Sequence, residues 1–91
     1  MHAIAFDLIV SELKKHYKDP YHNAYAEIRK VLKQNDFYWI QGSTYATQKD
    51  LTAVYRAIDS LNKIDWFRKS VRDIRVFRIE DWSDFTQVFK E

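Results

Sequence analysis

Residues 3–10 read Ala-Ile-Ala-Phe-Asp-Leu-Ile-Val, an apolar run of strand-forming residues interrupted by a single carboxylate, Asp7. The side chains of a strand alternate between two faces. Ile4, Phe6, Leu8 and Val10 therefore share one face, bulky enough to lie beneath a layer of helices, while Ala3, Ala5, Asp7 and Ile9 share the other. The second face is small beside Asp7, which suits the close approach of another backbone or of a ligand. A charge left unpaired in a dry core costs roughly several kcal/mol. Asp7 thus needs either a crevice or a partner, and the rest of the chain has to bury one face of this strand while leaving the other reachable.

The 91 residues suffice for one domain, 1–91, whose core is adequate rather than generous, so self-association is expected. Three Trp, six Tyr and six Phe argue against disorder. The absence of Cys excludes a disulfide framework, a Cys-ligated zinc site and a thiol nucleophile. No apolar stretch approaches the roughly 18 residues of a membrane span. The N-terminus also lacks the basic-then-apolar layout of a signal peptide, and a soluble cytoplasmic protein with no membrane partner is expected. The net charge of +2 says less than its distribution. Between Trp66 and Arg78, the bases Arg68, Lys69, Arg72, Arg75 and Arg78 face only Asp73, whereas in the tail Glu80, Asp81, Asp84 and Glu91 face only Lys90. The basic block is either the footprint of a polyanion or a solvated strand whose arginines discourage edge pairing.

After the first strand, Ser11 to Lys18 is polar, with Leu13 its one clear apolar anchor, and reads as a loop or short turn. Asp19-Pro20 is a helix start, and Tyr21, Ala24, Tyr25, Ile28, Val31 and Leu32 follow at helical spacing up to Asn35-Asp36. Phe37 to Ile40 is a second strand, Gly42 marks a tight hairpin or bulge, and Ser43 to Ala46 is a third strand. Thr47 is a candidate cap for a second helix, with Asp50 as a weak capping-box partner, and Leu51, Val54, Tyr55, Ile58 and Leu61 form its apolar stripe. Ile64, Trp66 and Phe67 close that helix or begin the turn after it. Val71 to Ile79 is a fourth strand with imperfect alternation, the mark of two covered faces or of a bulge. The tail from Asp81 fits a helical turn or a short strand equally well.

This order predicts an α+β, ferredoxin-like βαββαβ fold: a four-stranded antiparallel sheet, helices on one face, and a C-terminal extension over 81–91. The first and third strands are then central, which makes Asp7 a neighbour of Ser43–Tyr45. The helix-free face is expected to expose Ala3, Ala5, Asp7 and Ile9, and a second copy packed face to face is its simplest cover. The extension packs on its own chain or crosses to that mate by strand addition.

Four segments in order, Ala-Phe-Asp-Leu at 5–8, Gln-Gly-Ser-Thr-Tyr at 41–45, Ser-Val-Arg-Asp-Ile-Arg at 70–75 and Trp-Ser-Asp-Phe-Thr at 82–86, resemble the virulence-associated protein D (VapD) family. That family is similar in fold to the small CRISPR-associated nucleases, which are ferredoxin-like homodimers. The resemblance implies an endoribonuclease acting on single-stranded RNA, in many members the toxin of a bacterial toxin–antitoxin pair, with a small antitoxin protein as a further partner. It aligns Asp7 with the family's first-strand catalytic aspartate and Ser43 with the serine of its central hairpin.

For such chemistry Asp7 is placed to act as a base toward a ribose 2′-OH or a water. Alternatively, two Asp7 groups of a dimer share one hard divalent cation such as magnesium, weakly held and largely water-ligated. Ser43 and Tyr45 are candidates to bond a phosphate or orient a sugar, and Arg72, Arg75 and Arg78 to follow the RNA backbone. Each has a plainer reading: Asp7 bonded to a neighbour, Ser43 satisfying its own turn, Tyr45 in the core, and the arginines paired with the acidic tail. The competing class is a non-catalytic homodimeric module that binds nucleic acid or protein.

Overall fold

The computed structural model describes residues 1–18 and 20–90. Its elements in chain order are β1 (His2–Leu8), α1 (Val10–His16), α2 (Asn23–Gln34), β2 (Tyr38–Gln41), β3 (Thr44–Thr47), α3 (Leu51–Asn62), α4 (Asp65–Ser70), β4 (Val71–Arg78) and α5 (Thr86–Lys90). The four strands form one antiparallel sheet in the order β2-β3-β1-β4, which is the ferredoxin-like arrangement with β1 and β3 central. Ile4, Phe6 and Leu8 of β1 join Tyr45 of β3 in a core closed by Leu13 of α1, Ile28 and Leu32 of α2, Val54 and Leu61 of α3, and Phe67 of α4. Four helices therefore cover the same face of the sheet.

The other face is read off the register. One row across the sheet is Tyr38, Ala46, Ala3 and Phe77, and a second contains Thr44, Ala5 and Arg75. Ala3 and Ala46, small and flanked by the two rings, are fully buried. Ala5 and Ile9 are half-buried, so the expected open alanine surface is corrected: of the four β1-side residues only Asp7 is exposed. The apolar surface of this face is instead carried at its edges by Tyr38 and Phe77, about two-fifths exposed each.

Several local expectations are overturned for physical reasons. Residues 10–16 form α1 rather than a loop; seven residues with one apolar anchor make a marginal helix in isolation. Leu13 is fully buried, Lys14, Lys15 and His16 sit favourably at the C-terminal end, and α1 packs on α4, with the Tyr17 ring meeting Trp66 edge-on just past the helix at 4.8 Å. Residues 65–70 likewise form a separate helix, α4, against α1. Asp19, the expected cap of the next helix, lies outside the described residues, and Pro20 precedes α2 in a turn in which the Asn23 and Ala24 N–H groups donate to the carbonyls of Pro20 and Tyr21. The cap of α3 is Asp50, whose carboxylate accepts from Thr52 N–H at 3.0 Å, while Thr47 is buried and accepts from Lys49 N–H. The buried stripe of α3 is Ala53, Val54, Ala57 and Leu61; Leu51 and Tyr55 face outward.

Two turns hold the frame with left-handed backbone. Asp36 (φ 69°) ends α2 in a Schellman motif, with Phe37 N–H donating to Leu32 O and Asp36 N–H to Lys33 O. Gly42 (φ 48°) turns the β2–β3 hairpin. A Cβ at position 42 would meet no atom within 4 Å, so only its backbone conformation resists a side chain. Gly42→Ala is expected to lower stability by about 1 kcal/mol, and Asp36→Gly to raise it by about 0.5 kcal/mol. Urea denaturation midpoints at unchanged slope measure both; the same sign for the two substitutions would contradict this account.

Candidate active site

Asp7 stands one residue before the end of β1, where the pairing with β4 shifts. Asp7 lies opposite Asp73 and Leu8 opposite Val71, so Arg72 is the extra residue of a bulge. The bulge puts Val71 in phase with Ile74 and Val76, whereas Phe77, opposite Ala3 in unbroken register, is the apolar residue of the open face that makes the alternation of the fourth strand imperfect. The unbroken register up to the bulge sets two carboxylates facing each other across the strands, an arrangement that like charges make unfavourable. Arg75 offsets it: its terminal amino group lies 3.0 Å from the Asp73 carboxylate. Among the described residues, Asp7 itself has no hydrogen-bond or ion-pair partner, and it is exposed.

The β2–β3 turn supplies the opposite wall. Phe6 N–H donates to the Ser43 carbonyl at 3.1 Å, which pins Ser43 alongside the residue before Asp7. Asp7, Ser43, Thr44, Asp73, Arg75 and Phe77 line an open crevice of about 330 Å³ on the helix-free face. Asp7, Ser43 and Arg75 are thus brought together. Arg72 is exposed at the bulge, and Arg78 pairs with His2, five residues along β1 from Asp7, about 16 Å away at ~3.3 Å per residue. By the alternation, Arg78 points to the helix side of the sheet, away from the crevice. Tyr45 is buried on the core face, its ring stacked on Phe6 at 6.2 Å, and its hydroxyl accepts from Arg29 Nε at 3.4 Å.

A second pocket, about 260 Å³, adjoins the first through Phe6 and Ser43 and is lined further by Tyr25, Arg29, Gly42 and Tyr45. Burial, then the neighbouring Tyr21 and then the charge of Asp7 push the Tyr25 phenol above its usual range. Tyr25 and Arg29, one helical turn apart on α2, were not legible as site residues, because their spacing signals only a helix face.

A hard divalent cation takes about six oxygen ligands. One chain offers Asp7 and Asp73, and Asp73 is already paired with Arg75. Among the described residues no group of three or more His, Cys, Asp or Glu side chains is placed to hold a metal. The donor set of a single chain therefore does not fit a protein-held metal.

The sheet order, the one-sided helix layer and a lone acid at the end of a central strand define a small ferredoxin-like protein with a polar crevice on its open face. The family model described as "CRISPR associated protein Cas2" matches residues 1–87. A protein named Endoribonuclease VapD from Dichelobacter nodosus is 60% identical over 91 residues, covering 99% of this chain and 98% of that one. Its namesakes from Helicobacter pylori and Haemophilus influenzae are 50% identical over 93 residues and 40% over 91, each covering 99% of both chains. The chain belongs to the Cas2 family and, within it, to the VapD proteins.

The facing carboxylates generate a stability prediction. Asp7→Asn should leave the protein folded and raise its stability by about a few tenths of a kcal/mol, whereas Arg75→Ala should lower it by about 0.5–1 kcal/mol. The cost of Arg75→Ala should shrink in the Asp7→Asn background. Chemical denaturation of the four proteins of this cycle measures the coupling; additive effects would mean that Asp7 and Arg75 do not sense each other.

Proposed function

We propose that this chain is an endoribonuclease that cuts single-stranded RNA at the crevice of its open sheet face, with Asp7 as the reacting carboxylate. The observation that carries the reading is an exposed acid without a partner among the described residues, set between a serine and an arginine, in a chain whose relatives bear the name endoribonuclease. Asp7 takes the proton of the attacking ribose 2′-OH or water, the new P–O bond forms, and the bond to the leaving 5′-oxygen breaks as that oxygen accepts a proton. Arg75 and the Ser43 hydroxyl meet the charge that builds on the non-bridging oxygens.

The working unit is a homodimer joined through the open face, where Tyr38 and Phe77 leave apolar surface to cover. In that dimer two Asp7 groups near the two-fold axis would share a proton, one acting as base and the other as acid. A divalent cation such as magnesium fits only between the two chains, loosely held and largely water-ligated. RNA as substrate points to the cytoplasm; among the described residues no helix is long and apolar enough to cross a membrane. The resemblance to VapD proteins extends the reading to the toxin of a toxin–antitoxin pair, whose small acidic antitoxin would meet the basic β4 stretch.

Purified protein should cleave a single-stranded RNA oligonucleotide, and Asp7→Asn should lower the rate by about 10²–10⁴-fold without loss of fold. A parallel reaction with chelator separates metal-assisted from metal-free cutting. Full activity in Asp7→Asn would remove Asp7 from the mechanism. Salt-sensitive RNA binding without any cleavage by the unmodified protein would favour the non-catalytic module instead.

A further inference from the structure

The crevice around Asp7 does not attract RNA by its own charge. It holds two carboxylates, Asp7 and Asp73, and one guanidinium, Arg75, which is already paired with Asp73. A phosphodiester entering it meets a net negative wall, so a cation outside the crevice has to draw the strand in. Of the arginines on β4, Arg78 pairs with His2 at the far end of β1 from Asp7, and Arg72 lines neither the crevice nor the pocket beside it.

The adjoining pocket has that cation. Arg29 lies on α2 with its guanidinium 5.0 Å from the Trp39 ring and its Nε donating to the Tyr45 hydroxyl. These two contacts fix the plane of the group while using only one of its five N–H donors. Among the described residues no carboxylate pairs with Arg29, and its terminal amino groups make no hydrogen bond. Tyr25, four residues earlier on the same helix face, lines the same pocket, and the influence of Asp7 on its phenol places the two groups within electrostatic reach. Phe6 and Ser43 line both pockets, so the two meet at the β2–β3 turn, where a strand leaving the crevice passes Ser43 to reach Arg29 on the helix side of the sheet.

We infer that Arg29, oriented by Trp39 and Tyr45 and assisted by the Tyr25 hydroxyl, forms a subsite for the phosphate of the nucleotide next to the bond that is cut. This rests on the reading of the chain as an RNA-cleaving enzyme and adds the residues that anchor the strand. The occupant is a single-stranded RNA backbone: a rigid guanidinium fork matches phosphate oxygens, and the aromatic surroundings of Phe6, Trp39 and Tyr45 suit an unpaired nucleotide.

The test uses the full chain with Asp7→Asn, so that a fluorescently labelled single-stranded RNA oligonucleotide stays intact, and measures binding by anisotropy over a salt series. Adding Arg29→Gln should weaken binding roughly tenfold or more and reduce the slope of log affinity against log salt by about 0.7. Adding Arg29→Lys should restore the slope but only part of the affinity, and adding Tyr25→Phe should cost about threefold. With Asp7 present, Arg29→Gln should raise KM far more than it changes kcat. Circular dichroism confirms that each variant is folded, and the Lys variant, which retains the charge and the aliphatic stem, carries the comparison if the Gln variant is not. Unchanged affinity and slope on removing or altering the guanidinium would overturn the subsite while leaving the nuclease reading in place. Absence of RNA binding by the unmodified protein would overturn both. Full cleavage by Asp7→Asn, with binding still dependent on Arg29, would overturn only the role of Asp7.

Discussion

The two faces of β1 cannot be exchanged, and the rest of the molecule is built on that constraint. Ile4, Phe6 and Leu8 lie under the helices, and Asp7 stands on the opposite side of the same strand. A slip of one residue in register would drive the carboxylate into the core and bring the aliphatic set into water, at a cost of roughly several kcal/mol for the charge alone. The helices α1 to α4 accordingly gather on one side, and the open side becomes the only place where this acid can sit.

The same strand shows where the fold gives up stability at the crevice. A sheet optimised for stability would not set Asp7 against Asp73, nor interrupt β4 with a bulge beside them. Here Arg75 restrains one carboxylate, and the hairpin, tied to β1 through Phe6 and Ser43, closes the crevice from the other side. The result is one acid with nothing among the described residues to neutralise it. A guanidinium with the same freedom, Arg29, lies in the neighbouring pocket. The carboxylate and the guanidinium thus sit on either side of Phe6 and Ser43, and neither is consumed by the other.

Most of this frame is legible in the residues because it depends on period and on turn chemistry. Alternation identifies β1, the single glycine marks the hairpin, and the apolar spacing of Ala24, Ile28 and Leu32 marks α2. What escapes is decided by tertiary contact. Helix α1 has one apolar anchor and forms by docking Leu13 and the turn after it against α4. In α3 the buried positions include Ala53 and Ala57, too small to stand out beside Leu51 and Tyr55, which face outward. The tail fits helix and strand equally in sequence, and Thr86–Lys90 is helical. At the site, Asp7 and Ser43 are readable because a central strand and its neighbouring hairpin must meet. Asp73 arrives opposite Asp7 through a β1–β4 register that no periodicity reveals, and Tyr25 and Arg29 come from a helix some twenty residues along the chain. The basic block at 68–78 is real in composition but is divided by the strand, so that only Arg75 reaches the crevice.

The central claim is that the open face of the sheet, and the acid on it, is where RNA is cut. A crystal structure of the Asp7→Asn protein with bound single-stranded RNA tests it most directly. The account predicts a phosphodiester group within about 3.5 Å of the side chain at position 7, on the face that carries Phe77. RNA bound with no phosphate near position 7, or a position 7 side chain sealed against a second copy, would contradict it.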